Sequence, residues 1–305
     1  MKIDKNNILN LSAPLVLVVE VTNICNLNCK YCYNSFKRDK IRVMSFGDFS
    51  NIVEQATELN VFDINISGGE PFVHPQILDF IKLVLDKELG ISIVSNGTVI
   101  DKNMAKELAK LGVTQYIQVS FDSHVESIND LTRQGFKESF EGFLNLVANS
   151  DNRSTAPSIG IVLNRFNYES IVDTIDFFSN FTDRFHIMNV MNSKDFSLEP
   201  QHMEDFLNII LPQLKQLSDE KNLKITIFPH EKSLHIQKHF DVVKIGGDKC
   251  LAGLTTLVID SELNVYPCDI VNKIIGNLKR DTSLAQIYKV SKETWAKLNG
   301  TWCKK

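Results

Sequence analysis

The chain has 305 residues, of which 43% are hydrophobic and 23% charged, with 33 Lys and Arg against 37 Asp and Glu. This composition is typical of a packed globular protein and excludes a disordered one. The net charge of −4 gives no electrostatic reason to expect nucleic acid or an anionic membrane as partner. Apolar runs reach only strand length, as in Leu15–Val19, and the first ten residues are polar. We therefore expect no membrane span, no secretory signal and a cytoplasmic location.

Strand and helix patterns alternate along the first 220 residues. The predicted strands are Leu15–Val21, Phe62–Ser67, Ile91–Ser95, Tyr116–Phe121, Ser158–Leu163 and Phe185–Val190. The predicted helices are one that begins at Ser45, followed by Pro75–Glu88, Asp101–Leu111, Gly135–Asn149, Tyr168–Asn180 and Pro200–Glu220. Six strand–helix units in series predict an α/β fold with a parallel sheet. Periodicity alone leaves open whether that sheet forms a barrel or an open doubly wound layer.

The pattern changes after about residue 225. Two short strand-like runs, Leu254–Asp260 and Val265–Tyr266, flank a predicted hairpin turn at Ser261–Asn264, and a helical pattern follows at Thr282–Leu298. We therefore expect a main domain over residues 1–225 and a small C-terminal domain over residues 226–305.

Six cysteines fall into two groups of three that lie far apart in the sequence. They are Cys25, Cys29 and Cys32, and then Cys250, Cys268 and Cys303. A reducing cytoplasm disfavours disulfides, so the grouping predicts two metal or cluster sites. In the first group, three thiolates leave one position open: an iron–sulfur cluster would keep an iron for a substrate or cofactor. Structural zinc with a fourth ligand from elsewhere, or packed thiols without a metal, are the alternatives.

Polar and glycine-rich segments follow the next three predicted strands. The second strand ends in Ser67–Pro71, the third in Ser95–Thr98 and the fourth in Ser120–Asp122, with Arg133 in the following loop. The C-terminal ends of parallel strands are where such folds place their chemistry. Paired glycines let the backbone approach a ligand, and Glu70 offers a carboxylate to an ammonium group. An ordinary strand–helix turn is the alternative for the glycine pair.

The three cysteines at gaps of three and two residues, with Tyr31 before the third, resemble the signature of radical S-adenosylmethionine enzymes. In that family the cysteines hold a [4Fe–4S] cluster whose fourth iron binds S-adenosylmethionine. One electron then cleaves this cofactor to methionine and a radical that removes a hydrogen atom from the substrate. The resemblance covers roughly residues 13–220 and implies a partial (β/α)6 TIM barrel.

The resemblance also implies which residues contact S-adenosylmethionine. Tyr31 is expected near the adenine, and Ser67–Pro71 matches the family segment that contacts the methionine amino group. Arg133 is expected at the methionine carboxylate, with a surface arginine as the alternative. The complete set of implied cofactor residues is Tyr31, Gly68, Gly69, Glu70, Ser95, Asn96, Ser120 and Arg133.

Cys250 and Cys268 resemble the start of a SPASM or twitch extension, a C-terminal domain that binds auxiliary iron–sulfur clusters. The usual pattern has a glycine where this chain has Leu263, which weakens the match. Cys303 would open the next cysteine group, and the chain ends at Lys305, one position before the next expected cysteine. A truncated site, structural zinc on these three thiols, and three separately packed cysteines all stay open.

Resemblance to SPASM enzymes implies a peptide or protein substrate, with peptide maturation as the expected role and a flavodoxin or ferredoxin as reductant. In some of these enzymes the acid after the second cysteine acts on the substrate, which makes Asp269 a candidate catalytic residue; a surface carboxylate is the alternative. A radical dehydrogenase of a small molecule and a non-catalytic iron–sulfur or zinc protein are the competing functions.

Two further expectations concern histidines and peptide binding. His74, His124 and His186 lack the spacing of metal ligands, so ordinary packing or exposure is expected for each. No recognisable peptide-binding domain precedes Leu15, so a leader peptide would need another site or a separate protein.

Overall fold

The computed structural model describes residues 10–33, 40–190, 193–228, 250–279, 282–298 and 302. The described strands are β1 (Val16–Glu20), β2 (Asp63–Ser67), β3 (Gly90–Ser95), β4 (Ile117–Ser120), β5 (Ser158–Leu163), β6 (Arg184–Asn189), β7 (Lys224–Phe228), β8 (Thr256–Ile259), β9 (Asn264–Tyr266) and β10 (Gly276–Asn277). The described α-helices are α1 (Phe46–Glu58), α2 (Ile77–Asp86), α3 (Lys102–Lys110), α4 (Glu126–Asn129), α5 (Phe136–Val147), α6 (Ile171–Phe178), α7 (Pro200–Asp205), α8 (Leu211–Lys221) and α9 (Leu284–Lys297). Short 3₁₀ turns lie at Pro71–Val73 and Thr114–Tyr116.

The chain divides into two compact units. The first takes in residues 1–26, 34–93 and 243–305, and the second takes in residues 27–33 and 94–242. The boundary crosses the predicted main domain, since β1 and β2 belong to one unit and β4 to β7 to the other. The sequence-based domain boundary near residue 225 stays a prediction.

The first unit is built on a mixed sheet with the strand order β10, β9, β8, β1, β2, β3. β1 pairs in parallel with both β2 and β8, with Leu17 opposite Ile64 on one side and Leu257 on the other. All three side chains are buried. β9 returns antiparallel to β8, with Val265 opposite Ile259, which confirms the predicted hairpin.

Three helices accompany this sheet. α1 begins at the predicted cap, where the Ser45 hydroxyl accepts from the Asp48 backbone amide at 3.1 Å. Phe49 of α1 stacks on Phe80 of α2 with ring centroids 4.2 Å apart. At the start of α9, the backbone amide of Leu284 donates to the Gln55 side chain of α1 at 2.7 Å. This contact joins segments 229 residues apart, so the C-terminal helix is part of the first unit's core.

The second unit contains the parallel ladder β4, β5, β6, β7. Its helices bury a phenylalanine cluster in which Phe121 meets Phe143 edge to face at 6.0 Å and Phe178 at 4.8 Å. Such aromatic contacts stabilise a core beyond the area that they bury.

The alternating α/β pattern and the parallel sheet are confirmed. Strand β7 and the parallel pairing of β8 with β1 were not predicted. The short strand β10 and the short helix α4 were not predicted either. The helix predicted over Pro200–Glu220 is interrupted by a π turn at Phe206–Ile210. None of the helices in the described part of the chain has the length and apolar composition needed to cross a bilayer.

Candidate active site

The predicted site residues are distributed over both units. Cys25, Gly68, Gly69 and Glu70 belong to the first unit. Cys29, Tyr31, Cys32, Ser95, Asn96, Ser120 and Arg133 belong to the second. Cys303 lies outside the described residues, and Cys250, Cys268 and Asp269 are in the first unit.

In the first unit, the glycine-rich segment after β2 runs against the segment after β1 that leads to Cys25. The Gly69 amide donates to the Thr22 carbonyl at 2.7 Å, and the Glu70 amide donates to the Ile24 carbonyl at 2.8 Å. A Cβ on Gly69 would lie only 2.1 Å from the Ile24 carbonyl oxygen. A side chain there would push the two segments apart, so the glycine fixes the backbone just before Cys25.

Gly68 is required for a second reason. Its φ is +132°, a conformation that L-residues rarely adopt, and a Cβ would lie 2.3 Å from the Thr22 carbonyl oxygen. The paired glycines that the sequence associates with ligand binding are thus also needed for the backbone to take this path.

Glu70 is fully buried, and its carboxylate accepts from the Phe72 amide at 3.1 Å at the start of the Pro71–Val73 turn. A buried carboxylate that accepts from a backbone amide presents its negative charge in a fixed orientation. This suits the ammonium group that the motif implies.

In the second unit, three side chains form one buried polar group. The Tyr31 hydroxyl donates to the Asp122 carboxylate, with oxygen–oxygen distances of 2.6 and 2.7 Å. Arg133 Nη2 donates to the Tyr31 hydroxyl at 2.8 Å and lies 3.4 Å from Asp122 Oδ1. The guanidinium also lies over the Tyr31 ring, 5.8 Å from its centroid.

The electrostatics of this group favour a neutral tyrosine beside a cationic arginine. Burial raises the pKa of the Tyr31 hydroxyl well above its ordinary value, and the Arg133 cation only partly offsets that effect. Burial works against the Arg133 cation, but the negative charge of Asp122, which also accepts a hydrogen bond from it, raises the pKa of Arg133 above its ordinary value. Arg133 therefore carries a permanent positive charge into the site.

The cysteine loop, residues 25–32, is tied to the segment after α4. The Lys30 amide donates to the Thr132 carbonyl at 2.8 Å, and Cys29 Sγ lies 3.5 Å from the Arg133 carbonyl oxygen. Next along the chain, a Cβ on Gly135 would lie 2.9 Å from Leu27 Cδ2, so this glycine makes room for the loop.

The turn after β3 is organised by its own polar side chains. Ser95 Oγ accepts from the Gly97 amide at 2.9 Å, and Asn96 Oδ1 accepts from the Thr98 amide at 2.9 Å. Gly97 has φ +79°. Ser120 is buried at the end of β4, opposite Gly160.

The residues present fit an iron–sulfur cluster by their chemistry. Cys25, Cys29 and Cys32 are half-buried thiols on one short loop. Cysteine thiolates are the usual ligands of such clusters. Arg133 Nε is buried with no hydrogen-bond partner among the described residues, as expected of a donor kept for an anionic ligand. No three His, Cys, Asp or Glu side chains in the described ranges converge closely enough to hold a single metal ion.

In the second cysteine group, Cys250 and Cys268 are half-buried thiols. Burial and the neighbouring charge of Asp269 raise the pKa of the Cys268 thiol to about 12. Two tryptophans hold the backbone around Cys250: Trp295 Nε1 donates to its carbonyl at 2.7 Å, and Trp302 Nε1 donates to the Ala252 carbonyl at 2.8 Å.

The backbone conformation at Leu263 is the one expected of the glycine that the family pattern has at this position. Leu263 occupies the hairpin turn with φ +65°, in the left-handed region that favours glycine. The turn is held by Asp260, whose Oδ1 accepts from the amides of Glu262 and Asn264 at 2.9 Å each. The backbone conformation that a glycine would adopt freely is therefore present with leucine.

His74 and His124 both have packing contacts. His74 is buried with both ring nitrogens bonded to backbone groups, and His124 Nδ1 lies 3.1 Å from Thr174 Oγ1. Burial lowers the pKa of both rings and of His186.

The sequence reasoning missed Asp122 and Thr132 as parts of the site. The sequence pattern gives Asp122 only as the last residue after the fourth predicted strand and gives no role to Thr132. The available signal was position alone: a carboxylate at the C-terminal end of a parallel strand, followed by an arginine in the next loop.

Comparison with known proteins begins with a family. The sequence model of the Radical SAM superfamily matches residues 19–178. The mycofactocin maturase MftC of Mycolicibacterium smegmatis is 27% identical over 294 residues, which cover 92% of this chain and 71% of that protein. The PqqA peptide cyclase of Granulibacter bethesdensis is 31% identical over 116 residues, 37% of this chain and 31% of that protein.

A solved structure shares the fold. SuiB of Streptococcus suis, bound to its precursor peptide SuiA, superposes with a TM-score of 0.73 at 21% identity and covers 93% of this chain. This chain spans 66% of the SuiB chain. The likeness confirms the expected partial-barrel α/β fold.

Proposed function

Because the chain belongs to the radical SAM superfamily, we propose that it is an enzyme that cleaves S-adenosylmethionine reductively and modifies a peptide or protein. The observation that carries this proposal is the three-cysteine loop, whose flanking backbone is fixed by Gly68 and Gly69 on one side and by Thr132 and Arg133 on the other. A [4Fe–4S] cluster bound there supplies the electron that cleaves S-adenosylmethionine to methionine and a hydrogen-abstracting 5′-deoxyadenosyl radical.

The chain's own residues bind and orient the cofactor. Cys25, Cys29 and Cys32 would hold the cluster, and Tyr31 would lie at the adenine. The buried Glu70 carboxylate would accept from the methionine ammonium, and Arg133 would supply the fixed positive charge for the methionine carboxylate. The remaining residues proposed for S-adenosylmethionine are Gly68, Gly69, Ser95, Asn96 and Ser120.

Similarity to MftC along most of both chains, and a fold shared with a peptide-bound enzyme, support a peptide or protein as substrate. Residues 226–305 are proposed as a SPASM/twitch-like domain whose auxiliary cluster is held by Cys250, Cys268 and Cys303. Asp269 is the proposed catalytic acid–base beside it. Asp269 follows Cys268 directly in the chain, and this adjacency supports the proposed role.

We further infer a cytoplasmic enzyme that takes its electron from a flavodoxin or ferredoxin. A reducing compartment keeps the thiols available for cluster assembly, and such carriers supply single electrons.

Anaerobic reconstitution with iron and sulfide, followed by reduction with dithionite, tests the radical chemistry. With S-adenosylmethionine present, the loaded protein is expected to release methionine and 5′-deoxyadenosine, measured by chromatography with mass detection. Cys29→Ala removes one cluster ligand and should abolish that release. Lys30→Ala changes an exposed side chain on the same loop and should retain it. A fully loaded wild-type protein that releases no 5′-deoxyadenosine would contradict the proposal.

A second arm of the same assay tests the substrate class. Peptides encoded beside this gene are incubated with the loaded protein, and peptide mass is followed together with 5′-deoxyadenosine. A peptide whose mass changes in proportion to 5′-deoxyadenosine supports peptide modification. Turnover with a small-molecule alcohol or amine, and with no peptide, would favour the dehydrogenase alternative.

A further inference from the structure

Asp122, directly after β4, is the most enclosed charged group in the second unit's part of the site. Its side chain is 0% exposed. The carboxylate accepts from the Tyr31 hydroxyl at 2.6 and 2.7 Å and from Thr132 Oγ1 at 2.5 Å. Arg133 Nη2 lies 3.4 Å from Oδ1 as an ion pair. One carboxylate therefore contacts three side chains, which come from two separate segments of the chain.

The main chain of Asp122 is fixed as firmly as its side chain. Its amide donates to Asn129 Oδ1 at 2.9 Å, and its carbonyl accepts from Asn167 Nδ2 at 2.8 Å. Both asparagines are buried. Since backbone and carboxylate are held independently, Asp122 is a rigid point to which other segments attach.

The two segments that Asp122 joins are the cysteine loop and residues 132–133. Tyr31 lies between Cys29 and Cys32. The carbonyls of Thr132 and Arg133 contact that loop at the Lys30 amide and at Cys29 Sγ. Thr132 and Arg133 thus bind Asp122 through their side chains and hold the loop through their backbones, and Tyr31, the third partner of Asp122, belongs to the loop itself.

We propose that Asp122 is a positioning residue that holds the cysteine loop, through Tyr31, Thr132 and Arg133, in the conformation that receives the cluster. The proposal rests on the proposed function for the identity of the cluster, but it concerns the conformation of this loop in the metal-free protein. Asp122 is assigned no contact with cofactor or substrate.

Asp122→Asn is the informative change because it keeps the size of the side chain. An asparagine keeps one acceptor oxygen, whereas its amide nitrogen only donates. The amide nitrogen would force the hydroxyl of Tyr31 or Thr132 to change from donor to acceptor, and the buried Arg133 loses its counter-charge.

Asp183→Asn is the matched control. Asp183 is also buried, accepts from Ser154 Oγ at 2.7 Å and pairs with Lys224 at 3.2 Å. It precedes β6 and so lies at the opposite end of the parallel strands. The control makes the same chemical change at another buried carboxylate that, among the described residues, has no contact with the cysteine loop.

The experiment measures alkylation of Cys29 and Cys32 by iodoacetamide in the metal-free protein, by peptide mass spectrometry, with Cys250 of the same molecule as internal reference. We expect several-fold faster alkylation of both cysteines in Asp122→Asn and wild-type rates in Asp183→Asn. Wild-type rates in Asp122→Asn, or an equal acceleration in both variants, would overturn the proposal.

A second variant tests the same proposal if Asp122→Asn does not fold. If circular dichroism shows that Asp122→Asn does not fold, Tyr31→Phe removes only the hydroxyl and should accelerate the same two alkylations; unchanged rates would overturn the proposal. Where the spectrum of the reconstituted wild type changes on addition of S-adenosylmethionine, measured by electron paramagnetic resonance, the changed spectrum should differ between Asp122→Asn and Asp183→Asn. Identical spectra in the two variants would then count against the proposal. The alkylation result stands whether or not the wild type cleaves S-adenosylmethionine, so the two proposals fail separately.

Discussion

At the residue scale, His74 shows how a histidine beside the glycine-rich segment serves the fold. It is 3% exposed, its Nε2–H donates to the Met44 carbonyl at 2.9 Å, and its Nδ1 accepts from the Gln76 amide at 3.1 Å. The ring also packs on Phe80 with centroids 4.5 Å apart. Every polar atom of the ring is used locally.

His74 therefore predicts a pH dependence of stability. Burial lowers its pKa below the ordinary 6.5. The unfolded chain then binds the proton more readily, so the stabilisation by neutral His74 is present above about pH 6.5 and is lost as pH falls below it. The difference in melting temperature between wild type and His74→Gln should shrink from pH 8 to pH 5. His202→Gln, at a half-exposed position on α7, is the control, and a difference independent of pH would contradict the prediction.

Leu263 and Asp122 show the limit of residue patterns. A motif comparison counts Leu263 as a mismatch, yet the backbone at that position has the conformation that the pattern's glycine would serve. Asp122 lies outside the cysteine and glycine motifs, and its contact with Tyr31 joins positions that are 91 residues apart in the chain. A local motif does not record such a contact.

At the element scale, close packing of α5 on the turn after β3 decides the shape of the second unit near the site. A Cβ on Gly142 of α5 would lie 1.9 Å from the Gly97 carbonyl oxygen. The clash is with backbone, so relief requires movement of the helix or of the turn that carries Ser95 and Asn96.

Two helical glycines should therefore respond oppositely to alanine. Gly142→Ala should destabilise the protein by about 1–3 kcal/mol, because the overpacking cost exceeds the gain in helix propensity. Gly47 in the first turn of α1 has no atom closer than 4.0 Å to the added Cβ, so Gly47→Ala should be neutral or stabilising by about 0.5 kcal/mol. Urea unfolding measures both, and effects of the same sign would refute the packing argument.

The alternation of strands and helices could be predicted from the sequence, because hydrophobic residues repeat at a different spacing in a strand than in a helix. β7 was not predicted, although polar and apolar residues alternate at the start of Lys224–Phe228. The segments beside it do not continue the strand–helix repeat. The parallel pairing of β8 with β1 was not readable, since strand pairing depends on partners that lie far apart in sequence.

At the scale of the whole molecule, part of the hydrophobic core of the first unit is formed by Trp302, which lies far along the chain from β1 and β2. Trp302 is 7% exposed and packs with Leu254 and Trp295. Its ring nitrogen donates to the Ala252 carbonyl. A Cβ on Gly253, where φ is +76°, would lie 2.7 Å from that nitrogen, so this glycine lets the tryptophan approach.

Trp302 should carry a large part of this unit's stability. Trp302→Ala should cost about 3–5 kcal/mol by leaving a cavity. Trp302→Phe keeps most of the ring but leaves the Ala252 carbonyl without its donor, which should cost about 1–3 kcal/mol. Urea unfolding followed by circular dichroism distinguishes them, and an equal loss in both would contradict the cavity argument.

The sequence by itself determined the α/β class, most strand and helix positions, the cysteine loop and the glycine-rich segment, because these depend on local period and local spacing. Only the tertiary structure decided that Asp122 joins Tyr31 to Arg133 and that β8 extends the sheet from β1. It also decided that Trp302 packs on the segment after Cys250, where its ring nitrogen donates to the Ala252 carbonyl. Each of these is a contact between segments distant in sequence, and no local pattern records which distant segments a folded chain brings together.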